Sequence, residues 1–229
     1  MREDYTHIAI ILDRTGSMEA IRDDAIGGFN AFLRQQQEAP GTATLTLVQF
    51  DSQDPYEVLH RFALVNTVPP LTRETYVPRA STPLLDAMGR GINDLESALA
   101  DLEPQNRPAK VVMAVITDGQ ENASHEFSRA TVAHMIQARQ SAGWQFVFLS
   151  ANLDGIEDAM GVGVHAGQTM AFDHTPDGMR NAMSSVSARV NQYRQNLKQD
   201  VSFEQQDRDL QQAEKRRKNK LPDPNDTGI

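Results

Sequence analysis

The sequence predicts an α/β fold: a three-layer, doubly wound, mostly parallel sheet between helices, with one antiparallel hairpin at an edge. Short apolar runs rich in β-branched residues recur along the chain, and longer segments with apolar residues at three- and four-residue steps separate them. Strands alternating with helices in this way need crossover connections, which cover both faces of a parallel sheet. A chain of 229 residues, 39% hydrophobic with a mean hydropathy of −0.50, is long enough for one such domain plus an appendage.

Taken in order, Ile8, Ala9, Ile10, Ile11 and Leu12 form a buried-strand pattern, and residues 44–50 form a second. Residues 56–66 read as a third strand, paired antiparallel to the second across the turn formers Asp51, Ser52, Asp54 and Pro55. Residues 110–117 and Gln145–Ser150 add two more, and residues 165–172 a weaker one. Helical stripes are carried by Ile21, Ala25, Phe29, Phe32 and Leu33, then by Leu84, Leu85, Met88, Ile92, Leu95 and Leu99. Val132, Ile136 and Ala138 mark another helix, and Met179, Met183, Val186, Val190, Tyr193 and Leu197 form the last regular stripe. Gly161-Val162-Gly163 reads as a turn before the weak strand. The expected division is a folded domain over residues 1–198 and a polar, basic tail over residues 199–229, a frayed helix followed by disorder.

Composition narrows the chemistry. With no cysteine, disulfides, thiolate-bound metals and a thiol nucleophile are excluded, so any metal must sit on oxygen or imidazole. A net charge of −9 repels phosphate backbones, and nucleic acid is expected as a partner only through the basic cluster at residues 215–220. The simpler reading of that cluster is a solvated tail balanced by neighbouring acids. No apolar run reaches the roughly 20 residues of a membrane span, and the early apolar run stops at Asp13, too soon for an export signal. A cytoplasmic protein with no membrane partner is the expectation. The histidines show no helical zinc spacing, and His125 and His134 read as surface or capping residues.

The strongest local signal is Asp13-Arg14-Thr15-Gly16-Ser17-Met18, at the carboxyl end of the first strand and opening a helix. Ligand sites of doubly wound sheets lie at that edge. Asp13, Thr15 and Ser17 place one carboxylate and two hydroxyls on a single tight loop, a donor set that selects a hard cation such as Mg²⁺ or Mn²⁺. The competing reading is that Asp13 and Ser17 merely cap the following helix. Thr82, before Pro83-Leu84, reads as a natural N-cap that would also present its oxygen at the sheet edge, and Thr117-Asp118-Gly119 offers a second carboxylate there.

These three loops together resemble the von Willebrand factor type A domain, a Rossmann-like fold, over residues 6–197. That family's metal-ion-dependent adhesion site has an Asp-x-Ser-x-Ser loop, a Thr on a second loop and an Asp after a central strand. Asp13, Thr15 and Ser17 match the first, Thr82 the second and Asp118 the third, with Phe29-Asn30 as further support. Thr15 replaces the usual first Ser, as in bacterial, phage and tellurite-resistance-type members. The resemblance implies a non-enzymatic, protein-binding adaptor module. Thr15 and Ser17 would ligate Mg²⁺ or Mn²⁺ directly, Thr82 directly or through water, and Asp13 and Asp118 largely through water. A partner's Asp or Glu would complete the shell, the partner being of an ATPase or chaperone kind. The resemblance also implies that the last helix can shift with the site.

Asp13-Arg14-Thr15-Gly16-Ser17 also looks like the phosphorylated loop of the haloacid dehalogenase group, which makes a phosphohydrolase or phosphotransferase with Asp13 as nucleophile the alternative. Residues 117–122 match that group's metal loop only in part, no lysine loop is evident, and Thr82-Pro83-Leu84 would have no task.

Overall fold

The computed structural model describes residues 1–151 and 153–218. Six strands form one sheet in the order β3-β2-β1-β4-β5-β6. They are β1 (Arg2–Asp13), β2 (Thr42–Phe50), β3 (Glu57–Leu64), β4 (Pro108–Thr117), β5 (Gln145–Ser150) and β6 (Thr169–Ala171). All neighbours run parallel except β2 and β3, the antiparallel edge pair. The helices are α1 (Arg22–Glu38), α2 (Leu84–Ala100), α3 (Arg129–Ser141), α4 (Leu153–Gly161), α5 (Pro176–Arg194) and α6 (Gln205–Lys218). The predicted fold class is therefore the observed one.

Strand alternation splits the core in two. Ile8, Ile10 and Leu12 face α1 and α5, where they pack with Phe29, Phe32, Met183 and Val186. Ala9 and Ile11 face the other layer, with Met88 and Ile92 of α2 and Val132 and Ile136 of α3. Central strands buried on both faces are why β1 and β4 read as continuous apolar runs. Among the described residues no helix is long and apolar enough to cross a membrane.

Register decides where the loops emerge. Asp13 pairs with Phe50, Leu12 with Ile116 and Thr117 with Ser150, so the carboxyl ends of β1, β2, β4 and β5 are level. The segments after them, beginning at Arg14, Asp51, Asp118 and Ala151, share one edge of the sheet.

Three sequence expectations change. Thr82 does not cap α2: the N-cap position is Pro83, with no side-chain cap bond. The first-turn N–H groups of Leu85 and Asp86 are instead taken by Glu121 Oε2 (2.8 Å) and Ser124 Oγ (3.0 Å), which meets the need of a helix start for acceptors. Leu197 does not continue the last helical stripe. α5 ends at Arg194, Asn196 takes a positive φ of 60°, and Leu197 is exposed. Third, Val201 and Phe203 join the core beside α5, and α6 packs along that helix. The side chains of residues 215–220, where the basic cluster falls, lie outside the described residues.

Candidate metal centre

β1 delivers Asp13 fully buried at the sheet edge, and the chain then turns into a short 3-10 segment, Gly16–Ile21, ahead of α1. Asp13 is held through both oxygens. Oδ1 accepts the Thr15 N–H (2.7 Å), and Oδ2 accepts the Thr117 hydroxyl of the neighbouring strand (2.5 Å). The Tyr76 hydroxyl, itself buried, donates to the Asp13 carbonyl at 2.6 Å. Burial pushes the Asp13 carboxyl up to about 7, against the hydrogen bonds from Thr117 and Thr15, and the neighbouring Asp118 charge adds to the rise.

From Asp13 the polar chain continues outward. Thr15 Oγ1 lies 3.3 Å from Ser17 Oγ, and Ser17 Oγ donates to Asp118 Oδ1 at 2.7 Å. Asp118 Oδ2 meets His174 Nε2 at 2.9 Å. Thr82 reaches the group from α2's leading loop. A Cβ on Gly119 would stand 2.9 Å from Thr82 Oγ1, so the absence of a side chain at 119 is what lets the two loops touch. Asn122 fixes Thr82 from both sides: its Oδ1 accepts the Thr82 N–H (2.9 Å), and its own N–H donates to the Thr82 carbonyl (3.1 Å).

All five residues singled out in the sequence, Asp13, Thr15, Ser17, Thr82 and Asp118, thus stand at one edge of the sheet. The capping alternative does not account for their hydroxyls. Neither the 3-10 segment nor α1 has a side-chain cap bond at its start, and Thr82 Oγ1 makes no hydrogen bond among the described residues. The donors are hydroxyl and carboxylate oxygens; among the described residues no group of three or more His, Asp or Glu side chains is placed to hold a metal, at this edge or elsewhere, so a cation here would depend on the hydroxyls. Such a set fits a hard or borderline divalent cation held loosely, because few formal charges would face it.

Sequence reasoning missed five contributors. Arg14, the variable position of the first motif, is buried and clamps that loop to the end of β2. Its Nε donates to Asp51 Oδ2 (2.7 Å), and its Nη1 donates to Gln49 Oε1 (3.1 Å) and to Glu57. Arg79 adds a second donor to Asp51 at 3.0 Å. Tyr76, Asn122 and His174 are the others. Arg14 sits inside the first motif but takes its partners from distant chain, and the others act from outside the motifs, so only Arg14 and Asn122 stand beside residues that carried a local signal.

The same geometry bears on the phosphotransfer alternative. An attacking carboxylate must present an oxygen to the phosphoryl group, whereas both Asp13 oxygens are engaged inside the fold. Lys110 stands at the opposite end of β4, where its ammonium donates to the carbonyls of Tyr193 and Arg194.

No family model matches the sequence, and no curated relative matches it. Solved structures do. Proximal thread matrix protein 1 from the mussel byssus aligns over 82% of this chain and 46% of its own, at 15% identity and a TM-score of 0.55. Another structure of that protein, at 13% identity and a TM-score of 0.54, has zinc in its metal-ion-dependent adhesion site. Manganese-loaded TRAP protein of Plasmodium vivax aligns over 76% of this chain and 70% of its own, at 13% identity and a TM-score of 0.51. A von Willebrand factor type A protein from Catenulispora acidiphila covers 80% of this chain and 42% of its own, at 12% identity and a TM-score of 0.50. The chain spans less than half the length of the mussel protein. At these identities the likeness speaks for fold alone, and the chain has the fold of the von Willebrand factor type A domain.

Proposed function

We propose that this chain is a divalent-metal-dependent protein-binding module. In this reading Thr15, Ser17 and Thr82 hold Mg²⁺ or Mn²⁺, Asp13 and Asp118 surround it, and an Asp or Glu of a protein partner completes the site. The observation that supports it best is the convergence of hydroxyls and carboxylates from three separate loops, linked by the contacts Asp13–Thr15–Ser17–Asp118, with no hydroxyl spent on a helix cap. Bound there, the cation would supply an electrophilic point for a carboxylate of the partner. The chain's own residues supply the frame. Thr117 and the Thr15 backbone fix Asp13, Asp118 accepts the Ser17 hydroxyl hydrogen bond and so leaves the Ser17 lone pairs for a ligand, and Arg14 ties the loop to β2. A cytoplasmic adaptor that recruits an ATPase or chaperone assembly is the role we assign to such a module.

The test is calorimetry and thermal melting with Mg²⁺, Mn²⁺, Ca²⁺ and Zn²⁺ on the wild type and on Asp118→Ala, with acetyl phosphate added afterwards. Saturable binding that vanishes in the variant, stabilisation of about 2.7 kcal/mol at a hundredfold excess over Kd, and no phosphate release are expected. Wild type indifferent to every cation would refute the reading, and metal-dependent phosphate release would favour the Asp13 nucleophile.

A further inference from the structure

The contact between His174 and Asp118 belongs to neither motif. His174 lies in the turn between β6 and α5, and its placement is built. Upstream, buried Phe172 donates its N–H to the Ser150 carbonyl (2.9 Å), tying the turn to the end of β5. Downstream, Thr175 caps α5 by accepting the Gly178 N–H (3.1 Å), while its own N–H donates to the Asp173 carbonyl (2.6 Å). The turn closes this tightly only because residue 178 is glycine: a Cβ there would come within 2.1 Å of the Asp173 carbonyl oxygen. His174 is therefore held on both sides, with its side chain 37% exposed above an Asp118 side chain that is 1% exposed.

The two oxygens of Asp118 are thereby divided. Oδ1 receives the Ser17 hydroxyl at 2.7 Å and Oδ2 faces the imidazole Nε2 at 2.9 Å. Each contact on a carboxylate narrows its rotation about the Cβ–Cγ bond, and His174 supplies one of those that hold Asp118. Its orientation fixes where the Ser17 proton points, and so where the Ser17 lone pairs point.

We propose that His174 is a positioning residue of the metal centre, acting through Asp118 to orient Ser17 as a ligand. This rests on the metal-binding reading above. Partners of this kind behind metal-binding groups are commonly worth 10- to 100-fold in affinity.

The experiment is a Mn²⁺ titration by calorimetry, with the Mn²⁺ electron paramagnetic resonance signal as a second readout, on wild type, His174→Ala and His174→Gln, each also melted in EDTA. Glutamine can place its amide nitrogen near the position of Nε2 and donate to Oδ2. Mn²⁺ affinity about tenfold or more weaker in His174→Ala, restored to within about threefold by His174→Gln, is the expected result. The EDTA melting temperatures of the three proteins should agree within about 2 °C, which confines the effect to the site. Wild-type affinity in His174→Ala, or equal loss in both variants, overturns the proposal while the metal site stands. A lowered EDTA melt that accounts for the loss also overturns it, since His174 would then be structural. Wild type that binds no Mn²⁺ overturns the metal-binding reading and this inference together.

Discussion

A methyl group on Gly119 would place carbon 2.9 Å from Thr82 Oγ1, a separation that real contacts do not show. Gly119→Ala must therefore displace the Thr82 hydroxyl, and on the proposed reading a calorimetric Mn²⁺ titration should show affinity falling about tenfold or more. Position 119 is not buried, so the EDTA melt should change little. His7 offers a test of a different kind. It is fully buried within β1, its Nδ1 paired with Thr44 Oγ1 at 2.8 Å and its ring stacked on Phe62 at 3.8 Å, and burial pushes its pKa down to about 3. The unfolded chain, near 6.5, takes up a proton that the folded chain refuses. The stability associated with neutral His7 is thus complete above pH 6.5 and drains away as pH falls from there towards 3. By pH 5 the loss amounts to about 2 kcal/mol. Asp13, with its carboxyl raised to about 7, contributes in the opposite sense over this range, so the test is the difference: His7→Leu should gain about 2 kcal/mol in urea-denaturation stability relative to wild type between pH 7 and pH 5, and an unchanged difference would contradict the burial argument.

At the level of elements, the site depends on how the segment after β4 is tied to α2. Asp86, buried in the first turn of α2, accepts the backbone N–H groups of His125 (2.8 Å), Glu126 (2.9 Å) and Phe127 (2.8 Å). In return Glu121 and Ser124 take the N–H groups of Leu85 and Asp86. Helix start and loop therefore satisfy one another. Asp86→Ala leaves the three loop N–H groups without their acceptor, while the helix start keeps Glu121 and Ser124, and should cost about 2–4 kcal/mol in urea denaturation. Asp86→Asn, which keeps one carbonyl oxygen, should fall between. This exchange also explains what was legible in the sequence. The apolar stripes of α1 and α2 and the runs of β1 and β4 are local patterns; the expected residues are buried except Leu85 and Leu99 of α2, which are half-buried. Two of the three site loops could be read because they follow strand ends, and the third because Thr82 stands just before Pro83 and the apolar stripe of α2. A cap supplied across 36 residues of chain, as Glu121 supplies Leu85, leaves no local mark, so Thr82 looked like the cap. His174 on Asp118, 56 residues apart, and Arg14 on Asp51, 37 apart, were hidden for the same reason.

Across the whole molecule, α5 is the member that joins the two ends of the sheet. At its carboxyl end Lys110 donates to the Tyr193 and Arg194 carbonyls at 2.7 and 2.9 Å, placing a cation where the helix exposes its last acceptors. Buried Arg194 donates to the Gln36 carbonyl at 2.8 Å, which fastens α5 to α1. Along its length α6 runs back beside it: Arg189 pairs with Glu204 (2.7 Å) and Asp207 (3.2 Å), and Gln211 Nε2 donates to the Gly178 carbonyl (3.1 Å) beside the turn that carries His174. These ties oppose a free shift of α5, and Val201 and Phe203 add core contacts at the end of the sheet away from the candidate site. The sequence boundary at 198 rested on the polar run that follows, in which this apolar pair is too short to register. Phe203 is buried and its N–H donates to the Gly167 carbonyl at 2.8 Å, so it closes the molecule at that end. Phe203→Ala should therefore cost about 3 kcal/mol, the lower range for emptying a phenylalanine site, and lower the melting temperature by about 6–12 °C. Because the loss falls on the far end of the sheet, Mn²⁺ affinity of the folded variant should stay within about twofold of wild type, since sites this far apart contribute independently. A melt unchanged by Phe203→Ala would show that burial of Phe203 adds nothing to the fold. A metal affinity lost along with the stability would show instead that α5 carries changes from one end of the sheet to the other.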